Sequence, residues 1–324
     1  MAPHTEASQV GTAQAFDKAS HIKPYTVFLL CFLGSGSASM GYAASIIATT
    51  LTQPSFHNAM HLDRASNATA LVGATMGLYY TGGVFGGLAS GYISHKFGRK
   101  MCALIGALLV LIPSALLTAS VDMGMFITFR FFVGWGSFQL LAAIPVWMAE
   151  LVPPKRRGML VAIHPVMVNF GYTVASYTGI GFYYYKNGGN NQWRGPIGLT
   201  MAFPAILLAG MYWMPESPRY LLSKGRTEEA WNIIHKLHSD PKDSNDTFAK
   251  REFYQIQRQM QLDNSLSAKT TLGNFVSMFK KPSMRKRAFM SMFLTFSQMS
   301  SGALVINSML SPCLYLCIGL LSPC

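Results

Sequence analysis

Residues 70–121 read ALVGATMGLYYTGGVFGGLASGYISHKFGRKMCALIGALLVLIPSALLTASV. Ala70 to Ser94 holds no Asp, Glu, Lys or Arg, and neither does Met101 to Val121; between them Lys96, Arg99 and Lys100 crowd into a short turn. A hydrocarbon core about 30 Å thick takes about 20 helical residues, so each uncharged run is long enough for one membrane crossing. Backbone inside lipid has no water to bond and must satisfy itself as a helix. Two such runs joined by a basic turn describe an antiparallel pair of membrane helices.

The pattern repeats outward in both directions. Val27 to Thr49, Gly158 to Tyr185 and Gly195 to Met214 are uncharged, Met123 to Ala149 contains only Arg130, and nothing charged occurs from Ala288 to Cys324. Half of the 324 residues are hydrophobic and 12% are charged, with a mean hydropathy of +0.27, whereas soluble chains carry about a quarter charged residues. The charge is also uneven, since 14 of 26 basic and 8 of 13 acidic residues fall between Pro215 and Arg287. The expected fold is an all-α membrane protein. Its parts are a cytoplasmic tail (1–24), a six-span bundle (25–214), a cytoplasmic helical loop (215–287), a seventh span (288–311) and an atypical apolar tail (312–324). In the loop, Thr227 to His238 reads as an amphipathic helix with Ala230, Ile233, Ile234 and Leu237 on one face, and Phe248 to Leu262 as a second helix.

Basic residues favour the cytoplasmic side of a membrane. With the N-terminus inside, 22 of the Lys and Arg residues lie inside, and 4 remain: Arg64, Lys186, Arg194 and the embedded Arg130. A multi-pass protein of the plasma membrane with a cytoplasmic N-terminus is therefore expected, with the bilayer as its surroundings. Asn67-Ala68-Thr69 then falls outside as a glycosylation sequon, and Asn245-Asp246-Thr247 falls inside, where it is silent.

Several function classes drop out. The net charge of +13 comes from residues flanking apolar runs, not from a stripe on a soluble face, so no nucleic-acid partner is expected. Cys31 and Cys102 stand alone, and Cys313, Cys317 and Cys324 lack the spacing of a metal site. Arg130 and Glu150 are the only deep ionisable groups, too few for acid–base chemistry. Neither an enzyme nor a cofactor is expected.

Gly83, Gly87 and Gly91 recur every fourth residue with Gly82 and Gly86 beside them, a spacing that lets helix backbones approach closely. The connections carry more. The second span ends in Gly91-Tyr-Ile-Ser-His-Lys-Phe-Gly98-Arg99-Lys100, the fourth in Pro145-Val-Trp147-Met-Ala-Glu150-Leu-Val-Pro153-Pro-Lys-Arg-Arg157-Gly158, the sixth in Pro215-Glu216-Ser217-Pro218-Arg219. Each of these ends carries an arginine, and two carry a glutamate. Ion pairs between helices on one face can hold a bundle closed there and break when it opens.

With Gly41-Tyr42, Gln53-Pro54-Ser55-Phe56, Arg130-x-x-x-Gly134-x-Gly136, Trp193-Arg194 and Gln298-x-x-Ser301-Gly302, these motifs resemble those of the sugar porters of the major facilitator superfamily, most of all fungal hexose and lactose permease-like members, over residues from about 20 to about 309. The resemblance implies twelve spans in two halves and alternating access to a sugar held near the midplane. It implies that Gly91, Gly98, Arg99, Glu150, Arg157, Gly158, Glu216 and Arg219 form a cytoplasmic gate network, and that Arg130 sits near the outer end of its span. Gln298 is the leading sugar ligand.

Departures from the family pattern carry their own expectations. His95 replaces an acid in the basic turn. Ala43 stands where proton-coupled members carry an Asp paired with the arginine of the fourth span, so facilitated diffusion is favoured over proton symport. Pro165, preceded by His164, replaces a sugar-binding Gln and is expected to kink the fifth span. Met299 and Leu304 replace two further polar groups, leaving Asn169, His164 and Asn307 beside Gln298 as the available sugar contacts. The tail beyond Asn307 repeats Leu-Ser-Pro-Cys at 310–313 and 321–324 and departs from the family pattern, as expected of a misread intron or frameshift in a chain truncated after its first half. The expected activity is transport of a hexose, disaccharide or related polyol. The alternative is a non-transporting fragment or sugar sensor that meets protein partners through residues 215–287.

Overall fold

The computed structural model describes residues 23–62, 67–153, 156–185, 189–238, 246–266 and 282–300. Helix α1 (Pro24–Leu51) starts at a proline, whose missing N–H costs nothing in the first turn, after an extended Lys23. It is buried along most of its length and forms the spine of the bundle. The short α2 (Pro54–Ala59) leads to α3 (Ala68–Phe97), α4 (Arg99–Thr118) and α5 (Met123–Leu151). Then come α6 (Arg157–Val161), α7 (Ile163–Tyr184), α8 (Asn191–Gly198) and α9 (Ala202–Gly210). Among the described residues, four helical stretches are long and apolar enough to cross a membrane: Pro24–Leu51, Arg99–Thr118, Met123–Leu151 and Arg157–Tyr184. The second expected span is the 30-residue α3. The sixth is interrupted, with a 3-10 turn at Leu199–Met201 joining α8 to α9.

Glycines set how tightly the helices cross. A Cβ at Gly82 or Gly86 would overlap the carbonyl oxygens of Phe131 and Trp135 on α5, and one at Gly134 would overlap that of Tyr79 on α3. In the same way Gly41 lies against Val168 and Gly171 against Ala38, joining α1 to α7. Of the expected glycines, Gly83 packs against the Phe138 ring of α5 while a Cβ on Gly87 or Gly91 meets nothing within 4 Å, and the backbone-to-backbone approach uses Gly82 and Gly86. Van der Waals contact and weak C–H···O bonds, not the hydrophobic effect, make such crossings favourable in lipid.

The kink expected from Pro165 appears as a break at Ala162 between α6 and α7. Pro165 has no N–H to offer the carbonyl four residues back. Past the bundle, α10 (Pro218–Ser223) and α11 (Thr227–His238) follow. Helix α11 has the expected bounds and buries Ala230, Ile234 and Leu237. It docks on the start of α1, where Lys23 Nζ donates to the Lys236 carbonyl at 2.8 Å and the Lys236 ammonium lies 4.7 Å above the Tyr25 ring. Helix α12 (Thr247–Leu266) begins at the same bundle, with Phe253 5.5 Å from Trp231.

The chain divides into two units, residues 1–254 and 255–324. In the second, α13 (Pro282–Ser300) begins six residues before Ala288 and carries the exposed Arg285, Lys286 and Arg287 in its first turns. A proline start and long side chains that can reach the interface account for the early onset. Residues 301–324, including Asn307 and the repeated tail, lie outside the described residues.

Candidate functional site

The basic turn between α3 and α4 is built around Gly98, at φ 98° and ψ 171°. Only glycine adopts that backbone readily. A side chain there would also strike the Glu216 carboxylate at 2.6 Å and the Tyr220 ring at 2.9 Å. Glu216 is drawn in by the start of α4: its Oε1 accepts from the Arg99 amide at 3.0 Å and the Lys100 amide at 3.2 Å. The first amides of a helix have no partner within it and carry partial positive charge, so a carboxylate supplied from elsewhere in the chain caps them. Glu216 also accepts from the Ser217 amide at 2.9 Å.

The Arg99 guanidinium turns toward α5. Its Nη2 donates to Glu150 Oε1 at 2.7 Å, and its Nε stands 2.7 Å from Glu150 Oε2 as an ion-pair contact and not a second hydrogen bond, with side chains 19% and 10% exposed. Arg99 Nη1 donates to the Ser94 carbonyl at 3.2 Å, and Tyr220 donates its hydroxyl to the Lys96 carbonyl at 3.0 Å, satisfying the end of α3. Ser217 Oγ donates to Glu150 Oε2 and caps α10 at the same time. Lys100 Nζ reaches the Met214 carbonyl at 2.9 Å. The ends of α3, α4, α5 and α9 are thereby clasped together.

Of the expected gate residues, Gly98, Arg99, Glu150 and Glu216 form this clasp, in which Glu216 caps a helix through the backbone amides of Arg99 and Lys100. Arg219 sits in the first turn of α10. Arg157 has its Nε buried with no hydrogen-bond partner among the described residues. Gly158 is exposed, and Gly91 lines a cavity of about 330 Å³ with Gly87, Ser90, His95, Arg99 and Val146. Sequence reading missed Ser217, Tyr220 and Lys100. Ser217 was findable, because a serine before a proline is a helix N-cap signature.

Arg130 lies in the third turn of α5, 1% exposed. Its Nη1 donates to the Ala43 carbonyl at 3.1 Å, and its guanidinium carbon stands 4.5 Å from the Tyr79 ring centre. Of the expected sugar contacts, half-buried His164 is bonded through Nδ1 to Ser37 Oγ at 2.7 Å. Asn169 is exposed and donates to the Pro165 carbonyl at 3.0 Å. Gln298 lies near the end of α13, with only its backbone described, and Asn307 is outside the described residues. Asn67 is exposed at the start of α3. Trp147 and Tyr79 are core residues, while Tyr183, Tyr184 and Tyr185 are 40–56% exposed.

A family profile described as "Sugar (and other) transporter" matches residues 29–321. The MFS-type transporter criB of Aspergillus cristatus is 28% identical over 82% of this chain and 55% of its own length. A protein named probable quinate permease from Aspergillus niger is 30% identical over 91% of this chain and 56% of its own. The chain thus spans about half the length of these relatives. A structure of the E. coli xylose transporter XylE in a partially occluded inward-open conformation superposes with a TM-score of 0.64 at 22% identity, over 74% of this chain and 60% of that one. These relatives are carriers, not enzymes. A membrane-helix bundle clasped at its basic end, with the family profile running through it, places the chain in the sugar transporter family of the major facilitator superfamily.

Proposed function

We propose that this chain is part of a carrier that moves a sugar, either a hexose, a disaccharide or a related polyol, across the membrane by alternating access. The clasp of Arg99, Glu150 and Glu216 carries the reading: a charged, enclosed network tying helix ends at one face suits a bundle that must stay rigid there while opening elsewhere. In this reading the clasped face is cytoplasmic, as the count of basic residues argues, and the membrane is the plasma membrane. His164, Asn169, Gln298 and Asn307 are the sugar contacts, and the 215–287 segment is the surface available to cytoplasmic proteins. Facilitated diffusion is the mode. Arg130 is held by the Ala43 carbonyl, and Ala43 brings no side-chain acid that could carry a proton beside it.

Uptake of radiolabelled glucose, maltose and myo-inositol in transporter-deficient cells expressing the carrier that contains this chain tests the reading. Saturable uptake that survives a protonophore is expected. Uptake abolished by the protonophore would overturn the facilitated mode, and no uptake of any of the three would overturn the transport reading.

A further inference from the structure

Among the described arginines, Arg130 is the one with two enclosed guanidinium nitrogens that have no hydrogen-bond partner. Its side chain is 1% exposed. One hydrogen bond is made, from Nη1 to the Ala43 carbonyl at 3.1 Å, while Nε and Nη2 are enclosed with no acceptor. Those two nitrogens lie on the same edge of the guanidinium, the edge that presents two parallel N–H groups to a carboxylate. The chain itself shows how that edge is filled. At Arg99 the same edge faces the Glu150 carboxylate, with Nη2 donating to Oε1 at 2.7 Å and Nε standing 2.7 Å from Oε2 in an ion-pair contact.

No described acid is placed to do this at Arg130. Glu150 stands 20 residues further along the same helix, about 30 Å at 1.5 Å per residue, and is engaged with Arg99 and Ser217. Asp122 lies eight residues the other way, about 12 Å, where it caps the start of α5 by accepting from the Gly124 amide at 3.1 Å. Residue 43 on α1 is an alanine, 0% exposed. The Tyr79 ring face at 4.5 Å offsets part of the charge, but a ring face supplies no acceptor for the open edge. An arginine cannot neutralise itself by losing its proton, and an unanswered buried charge is strongly destabilising.

We propose that the open edge of Arg130 binds a carboxylate of the transported molecule, so that a carboxylated sugar or cyclitol is taken in preference to its neutral counterpart. The proposal rests on the transport reading above and narrows its substrate. A carboxylate on the substrate supplies both oxygens that the edge lacks, and the hydroxyls of the same molecule fall to the polar contacts elsewhere.

Binding to the purified full chain in lipid nanodiscs, read by calorimetry and thermal shift, tests this with matched probes. These are D-glucuronate against D-glucose and quinate against methyl quinate, with acetate and chloride as anions that lack hydroxyls. The acids are expected to bind at least about tenfold tighter than their neutral counterparts, the usual scale for a charge-assisted two-point pair. Arg130→Gln is expected to abolish that preference. Ala43→Asp guards against a misfolded Arg130→Gln protein: it supplies an acid from α1, answers the charge internally, and is expected to leave a folded chain without preference for the acids. Neutral probes binding as tightly as the acids, or a preference surviving both substitutions, would overturn the proposal while leaving transport of neutral sugars standing. Acetate or chloride stabilising the chain as well as glucuronate does would overturn it in favour of a small-anion site. Failure of every polyol, charged or neutral, to bind would remove the transport reading as well.

Discussion

At Glu216 one carboxylate serves the amides of Arg99, Lys100 and Ser217, so the turn at Gly98 and the end of the last bundle helix are parts of one structure. The cost of disturbing it follows from the backbone. Gly98→Ala forces a side chain into a conformation reserved for glycine and against the Glu216 carboxylate. A loss of about 2–3 kcal/mol is expected, seen as a lower thermal midpoint in detergent, and an unchanged midpoint would show that the turn tolerates a side chain. Sequence reading anticipated the tight glycine turn and the presence of arginine and glutamate at these ends. It could not anticipate which groups meet, because Glu216 answers backbone amides that a residue pattern does not display.

At the level of helices, packing is decided by which glycines face a neighbour's backbone. Gly86 and Gly87 are adjacent and chemically identical, yet a Cβ on the first would overlap the Trp135 carbonyl and a Cβ on the second meets nothing within 4 Å. Gly86→Val should therefore cost at least about 1–3 kcal/mol by overpacking α3 against α5, whereas Gly87→Val should fall within about 0.5 kcal/mol of the native protein. Parallel thermal melts check the contrast, and equal effects would refute the assigned register. The four-residue spacing of Gly83, Gly87 and Gly91 advertised a packing helix without showing its packing face, since Gly82 and Gly86 share the same period one residue earlier. Helix α11, by contrast, was legible to its bounds. Its apolar residues recur on one face against a polar remainder, a pattern that helices surrounded by lipid lack.

For the whole molecule, uncharged runs and basic turns were enough to read a helical membrane bundle, because lipid leaves the backbone few alternatives. The break at Ala162 also followed from one residue, Pro165. The setting of Arg130 was half legible: its depth and the alanine at position 43 could be read from the chain, while the open Nε and Nη2 edge needed coordinates. Topology makes an independent prediction. Asn67, exposed at the start of α3, is expected to carry a glycan when the chain is made in a eukaryotic cell, so endoglycosidase treatment should increase gel mobility. Asn67→Gln should abolish that shift and Asn245→Gln should not; the reverse result would invert the assigned orientation.

The clasp is assigned to translocation and not to substrate contact, and Glu150→Gln separates the two. It leaves Arg99 without its counter-charge at a site 10–19% exposed, a loss of about 2–3 kcal/mol once partial solvent screening is allowed for. The deciding measurement is equilibrium exchange of a radiolabelled polyol in proteoliposomes, paired with binding of the same polyol to the purified chain. Saturable exchange by the native protein is expected; Glu150→Gln removes a pair that must form again each time the clasped end closes and is expected to slow exchange at least about tenfold, with binding changed less than about threefold. Binding without exchange by the native chain, or Glu150→Gln exchanging at the native rate, would contradict a carrier whose clasped end governs its movement.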